Sequence, residues 1–427
     1  MRWTVILIAS LAAAAIPVAL AAQQEATIEV GLDEAVRRAL QVQPAIVQAR
    51  GDQRSAGADK RAAFGSFLPT VTTSWSASKS NVQRIDQTTG QPVAPEYTHT
   101  AGINANVVLF DALGRYSDAR ATSAQLRAAD AGYVSQRFQV TLETKQVFYG
   151  ALAAEALVGV AEAQVRRAEQ QLQIAIEKLR AGSATRSDSL RSTVEYGNAR
   201  LDLLNAVANH ATTQANLGRQ VGLDVPVRAS VRDTVLPPFP DTLELRAAAL
   251  ENAPLVQQTE ATARAARANV WGPRSTYFPT VSLSYSDNLQ GSASRPTDRT
   301  YNWRFGLSWT IFNGFNRESQ NAAAGANRDL AEARASDARR QVNAQLTQQM
   351  AALGTAWAQI DIAGSNLAAA REDLRVQQER YRVGASTILD LLVSQAALTN
   401  AEVNLIQTKF NYVIARAQLE ATVGRTL

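Results

Sequence analysis

Proline is absent from residues 97 to 225 and again from 297 to 427, so two very long stretches carry no obstacle to continuous helix. Within them apolar residues recur every seven positions. In the first stretch Val158, Val165, Leu172 and Leu179 form one row, and Val140, Val147, Ala154, Ala161, Ala168 and Ala175 form its partner. A sustained heptad marks helices packed as coiled coils, and alanine at alternate seam positions lets the backbones approach closely. A helix from about Gly114 to Arg180 would be roughly 100 Å long at about 1.5 Å per residue, a length that no compact domain needs.

The second stretch is a copy of the first. Ile360, Leu367, Leu374 and Tyr381 fall in one row, and Ala363 and Ala370 in the other, at an offset of 202 residues. Each long helix is expected to stop at a glycine, Gly182 in KLRAGSATRSDSL or Gly384 in YRVGASTILDLL, because glycine readily takes the left-handed conformation that ends a helix. Thr185-x-x-Asp188 and Thr387-x-x-Asp390 then fit capping boxes that start returning helices, which run to about Val221 and Val423.

Ahead of each long helix the period changes to two. Val71, Thr73, Trp75 and Ala77 alternate with small polar residues, as do Ile103, Ala105, Val107 and Leu109. In the second copy Val281, Leu283 and Tyr285, then Tyr301, Trp303, Phe305, Leu307, Trp309 and Ile311, do the same. These are four strands in two hairpins, each with an apolar and a small-polar face. The offset is 210 at Pro69 and Pro279 but 202 at Phe110 and Phe312, so the first hairpin has the longer loop, placed at Asn81 to Glu96. A soluble two-sided sheet gives the same alternation. Lipid outside and water inside is favoured by the aromatic residues Trp75, Tyr285, Tyr301, Trp303 and Trp309 on the apolar face, which suit a membrane girdle. Four strands cannot close a barrel and open edges are not tolerated in lipid, so strands must be shared between chains.

The N-terminus, one Arg followed by an apolar run from Trp3 to Leu20 and Ala19-Leu20-Ala21, reads as a cleaved secretory signal peptide, with a single membrane anchor as the rival that the short run and the cleavage signal disfavour. The chain has no cysteine, which excludes disulfides, thiolate metal sites and a lipoprotein anchor. Its charge of +5 comes from 43 basic and 38 acidic residues that are interspersed, leaving no footprint for nucleic acid. The expected division is a signal peptide at 1–22, a first repeat at 23–222 with its hairpin at about 69–110, a Pro-rich irregular linker at 223–241, and a second repeat at 242–427 with its hairpin at about 279–311. Shorter helices, Asp33 to Phe64 and Thr242 to Trp271, lead into the hairpins with breaks near Pro44 and Pro254.

The duplicated order of helix, FLPT or YFPT hairpin, LFDALGR or IFNGFNR junction, long helix and glycine turn resembles the TolC family of bacterial outer-membrane efflux proteins over essentially the whole mature chain. The resemblance implies a mainly α fold with a membrane β-barrel: a homotrimer whose twelve strands close one barrel, continued by a periplasmic α-helical barrel, with the linker in an equatorial band. It also implies an exit duct for an efflux pump or type I secretion system. Its partners would be a periplasmic adaptor, an inner-membrane transporter of RND, ABC or MFS type, and outer-membrane lipid. A structural or adhesive coiled-coil trimer without transport is the alternative, and a diffusion porin a third reading.

By the same resemblance, Asp390 takes a carboxylate-ring position at the periplasmic entrance, and Tyr381 with Asp188 the positions of a closing hydrogen bond. A second ring aspartate is Val393 here and a tethering arginine is Ser386, so the gate is expected to be less negative and more weakly latched unless Arg382 substitutes. Capping alone also explains Asp188 and Asp390. Gly182, Ser183, Gly384, Ala385 and Ser386 are the candidate adaptor contacts, although for Ser183 and Ala385 turn chemistry is the favoured account. A row of Asp188, Glu195, Asp202 and Asn209 lines either the tunnel or a solvated outer face. Only His99 and His210 exist, far apart, and no phosphate-binding or dinucleotide fingerprint occurs, so no enzyme activity, metal or cofactor is expected.

Overall fold

The computed structural model describes residues 28–79, 84–85, 90, 92–93, 97–230, 237–239, 252–292 and 295–427. The signal peptide, the start of the second lead-in helix and much of the Asn81 to Glu96 loop lie outside the described residues. The chain order is β1 (Ile28–Val30), α1 (Leu32–Val42), α2 (Pro44–Gly65), β2 (Thr70–Lys79), β3 (Arg84–Ile85), β4 (Pro92–Val93), β5 (Tyr97–Phe110), α3 (Gly114–Arg180) and α4 (Arg186–Val221). There follow β6 (Val227–Ala229), α5 (Pro254–Asn269), α6 (Trp271–Ser275), β7 (Thr280–Ser292), β8 (Arg295–Ser308), α7 (Asn316–Arg382) and α8 (Ile388–Val423).

The long helices α3 and α7 have 67 residues each and the returning α4 and α8 have 36 each. The lead-in helix breaks at Gln43, with Pro44 at the first position of α2, where a missing N–H costs nothing. Pro254 opens α5 in the same way.

The strands form one antiparallel sheet in the order β2-β5-β7-β8. The two hairpins are joined through β5 and β7, with Ala105 opposite Tyr285 and Ile103 opposite Asp287. Odd-numbered residues from all four strands therefore share the apolar face, where the Tyr285 and Trp303 rings lie 4.7 Å apart. The even-numbered face is polar: Ser284 Oγ reaches Asn106 Oδ1 at 3.4 Å and Ser286 Oγ reaches Asn302 Oδ1 at 2.8 Å. Among the described residues, β2 and β8 each have one side without a strand neighbour.

Three expectations need correction. β8 stops at Ser308, where it pairs with Thr280 just after Pro279, so Trp309 and Ile311 lie past the strand. There the Trp309 indole N–H donates to the Tyr277 carbonyl at 3.1 Å. The linker is not wholly irregular, because β6 pairs in parallel with β1, burying Val227 and Ala229 on either side of exposed Arg228. A three-residue alternation is too short to be read as a strand. Finally, the Val158, Val165, Leu172 and Leu179 row is only half-buried, and the alanine row carries the first seam.

The strand-to-helix junctions explain the LFDALGR and IFNGFNR motifs. Leu113 and Phe315 sit in the left-handed region at φ 65° and 63°, a strained geometry for side-chain-bearing residues. Asp111 Oδ2 holds the first turn by accepting from the Arg115 main-chain N–H at 2.8 Å. Arg317, buried at the second junction, donates to the carbonyls of Thr310 and Ile311 at 2.9 and 2.6 Å and lies over the Tyr277 ring. Two apolar clusters fill the middle of the molecule, one around Phe148, Leu217 and Val227 and the other around Val342, Leu346, Leu353, Tyr412 and Leu419. They are bridged by an ion pair from Lys145 on α3 to buried Glu420 on α8.

Candidate functional site at the helical tips

Both turns fold as their local sequences dictate. Gly182 and Gly384 adopt φ +72° and +81°, and a Cβ at either position would meet nothing within 4 Å. Their requirement for glycine is thus conformational, and the surface around them is open. The Ser183 N–H donates to the Lys178 carbonyl at 2.8 Å and the Ala385 N–H to the Arg380 carbonyl at 2.7 Å, closing the last turn of α3 and α7 in the same way.

Each returning helix begins with a reciprocal capping box. Asp188 Oδ2 accepts from the Thr185 N–H at 2.9 Å, and Thr185 Oγ1 accepts from the Asp188 N–H at 3.2 Å. At the second tip the corresponding distances, Thr387 to Asp390 and back, are 3.1 and 3.2 Å. Asp390 gains a further bond from the Thr387 hydroxyl at 2.7 Å. Ser386 Oγ lies 3.2 Å from Asp390 Oδ2 and 2.9 Å from Gln377 Oε1, and its single proton serves one of them at a time. The Thr387 hydroxyl and N–H, then Ser386 and the nearby Arg380 charge, hold the exposed Asp390 carboxyl below the usual carboxylate range.

Tyr381 is buried in a row with Leu367, Leu374, Ile388, Leu391 and Leu398. Burial first, and the Asp188 charge second, push its hydroxyl pKa up. The closing hydrogen bond to Asp188 is not made: among the described residues the Tyr381 hydroxyl has no partner, because Asp188 is turned to its own helix cap. Arg382 pairs within its own helix with Glu379 at 2.9 Å.

Sequence reasoning missed Lys178. Its ammonium lies over the Tyr381 ring at 4.1 Å from the centroid and donates to the Tyr381 carbonyl, so the last turn of α3 is tied to the last turn of α7. A cation is well placed there, facing both an aromatic ring and the carbonyl end of a helix dipole. The only signal in the sequence was a lysine beside the first glycine turn, with no sign of which aromatic it would meet.

Farther from the tips, Glu195 and Asp202 of the acidic row face a cavity of about 160 Å³ between α3, α4 and α8, with Arg167, Gln395 and Thr399 opposite. Arg167 donates to Thr399 Oγ1 and Glu402 Oε2, both at 3.1 Å. The middle of the row, Glu195 and Asp202, therefore borders a groove between the two helical hairpins. Among the described residues no cluster of three acidic or histidine side chains is positioned to hold a metal ion, and no helix is long and apolar enough to cross a membrane.

The model of the family described as "Outer membrane efflux protein" matches residues 35–223 and 245–425. The chain belongs to that family. As an outer-membrane efflux protein it is 24% identical over 383 residues to the outer membrane efflux protein BepC of Brucella suis, covering 85% of this chain and 78% of that one. It is also 24% identical over 420 residues to the alkaline protease secretion protein AprF of Pseudomonas aeruginosa, covering 94% and 86%. The fold matches the CmeC outer membrane channel of Campylobacter jejuni with a TM-score of 0.82 at 18% identity, over 92% of this chain and 85% of that one. These relationships place the protein in the outer membrane as a transport channel and favour transport over the structural or adhesive reading.

Proposed function

We propose that three copies of the chain form one exit duct, a 12-stranded barrel in the outer membrane continued by a helical barrel in the periplasm. The observation that carries this reading is that β2 and β8 each have an edge with no strand partner among the described residues, in a sheet that is apolar and aromatic on one face and polar on the other. A sheet of this kind is stable in lipid only if another chain closes it. Trp75, Tyr301 and Trp303, all highly exposed in the single chain, are girdle residues in this arrangement, with Tyr285 and Trp309 beside them. Mass measurement of the purified protein in detergent tests it: three chains per particle are expected, and a folded monomer would overturn it.

In this reading the tips form the periplasmic entrance, where a hairpin-shaped adaptor docks on Gly182, Ser183, Gly384, Ala385 and Ser386, and an inner-membrane transporter supplies the substrate. The open space around both glycines supports close backbone approach. Asp390 supplies the entrance charge without a second aspartate, because the position three residues on is Val393. The gate pairing of Tyr381 is with Lys178 rather than with Asp188. Pull-down of a periplasmic hairpin protein, lost on substitution of Gly384, is the expected result. Among its relatives are both an efflux protein and a protease secretion protein, so the cargo class is left open.

A further inference from the structure

The polar face of the sheet carries almost no charge. On β2 it presents Thr72, Ser74, Ser76 and Ser78; on β5, Thr98, Thr100, Asn104 and Asn106; on β7, Ser282, Ser284, Ser286, Asn288 and Gln290. β8 differs, with Arg304 directly opposite Ser284 and flanked on its own strand by Asn302 and Gly306. Among the described residues Arg304 makes neither an ion pair nor a side-chain hydrogen bond, although most arginines nearby do: Arg299 holds Asp287 at 2.5 Å on the opposite face, and Arg317 grips the junction carbonyls.

A neighbouring chain does not supply the missing carboxylate. β8 is an edge strand, and in the trimeric duct proposed above, on which this inference rests, it closes against β2 of the next copy. Every polar-face residue of β2 from Thr70 to Ser78 is serine or threonine. Whatever the register of closure, Arg304 therefore meets hydroxyls. Asp298, a charged residue on the same face, is six residues farther toward the outer end, about 20 Å along the strand at about 3.3 Å per residue. That is roughly twice the Debye length in about 0.1 M salt, so it does not neutralise Arg304.

We propose that Arg304 sets the charge selectivity of the outer-membrane segment: three copies at one level of the lumen form a cationic ring that draws anionic solutes and slows cations. A ring of like charges around an aqueous path acts in this way wherever field lines are confined by a low-dielectric wall. The acidic Asp390 at the tips and the basic Arg304 in the barrel then stand in series and impose opposite preferences at the two ends of one conduit. Anionic or zwitterionic substrates carrying a phosphate or carboxylate are the class that the outer segment favours.

The test is the reversal potential of the purified trimer in a planar bilayer under a potassium chloride gradient. Arg304→Gln is expected to raise the potassium-to-chloride permeability ratio about two- to five-fold in about 0.1 M salt, with Arg304→Glu going further, Arg304→Lys matching the parent, and the differences shrinking in about 1 M salt, where the Debye length is about 3 Å. Current steps of normal size with the same ratio for parent, Arg304→Gln and Arg304→Glu would overturn the proposal and leave the duct reading intact. A parent protein that is monomeric and gives no current would overturn both.

Discussion

The two helical tips share a backbone and differ in what fills them. Both close with a left-handed glycine and restart with a Thr-x-x-Asp box at nearly identical distances. Beneath the second tip lies a row of large side chains, Leu367, Leu374, Tyr381, Ile388, Leu391 and Leu398. Beneath the first, the seam is Ala161, Ala168, Ala175, Ser192 and Ala199, all buried, while Leu190, Val194, Leu201 and Leu204 on α4 are 56 to 66% exposed. Local turn chemistry was thus copied faithfully and core packing was not. The second hairpin buries a row of large residues within itself, although Leu389 and Val393 beside its tip stay exposed; the first pulls its helices close together over alanine and turns its large residues on α4 outward.

The largest expected effect follows from that contrast. Leu391→Ala removes a fully buried side chain and should cost about 2–5 kcal/mol of stability in the second hairpin, whereas Leu190→Ala should change the isolated chain by less than about 0.5 kcal/mol. Denaturant unfolding of each variant measures both. An equal loss in the assembled protein would show that neighbouring chains bury Leu190, and would recast the contrast as internal against intermolecular packing.

Next in size is the tie between the tips. Lys178→Met keeps the stem and removes the ammonium from the Tyr381 ring and carbonyl, a loss of about 1–2 kcal/mol, and should raise the open fraction of the entrance several-fold in bilayer recordings. Unchanged conductance would mean that the tips are held by packing alone. Gly182→Ala and Gly384→Ala should each cost about 1–2 kcal/mol through the positive φ, and by equal amounts, since neither glycine has a neighbour within 4 Å. Unequal losses on thermal unfolding would show that the tips are less alike than their backbones.

The smallest effect is electrostatic and is read at the second tip. The folded Asp390 carboxyl is held below its ordinary value of about 3.9, so the stability it contributes is present above that value and is lost as the pH falls through the folded pKa. A spin label at Ala385 should gain mobility on acidification from about pH 5 to about pH 2.5, and Asp390→Asn should abolish that dependence. A label whose mobility is flat with pH in the parent would show that the capping box holds with a protonated aspartate.

Much of this was legible in the sequence because it is local and periodic. Gly182, Gly384 and the two Thr-x-x-Asp boxes are contained within a few residues, so their conformations follow from backbone sterics and short-range hydrogen bonds. The period of seven and the absence of proline placed the ends of α3 at Gly114 and Arg180. Trp309 was placed wrongly for an equally physical reason: alternation continues in the sequence after Pro279 has ended the pairing. β6 was missed because its one alternation, Val227-Arg228-Ala229, has no statistical weight until β1 lies beside it.

What the sequence determined by itself is the repeat and its two periodicities; the family follows from the match of its duplicated motifs to outer-membrane efflux proteins, and the membrane follows from the family. The tertiary structure decided which side chains meet across the repeat. Lys178 and Tyr381 are 203 residues apart, and nothing in either neighbourhood names the other; Asp188, near enough to raise the tyrosine's pKa, is taken by its own helix cap. A helix cap is settled by backbone within reach of one side chain, whereas a contact between two hairpins depends on how two 67-residue helices are rotated about their axes, which only their packing against each other fixes.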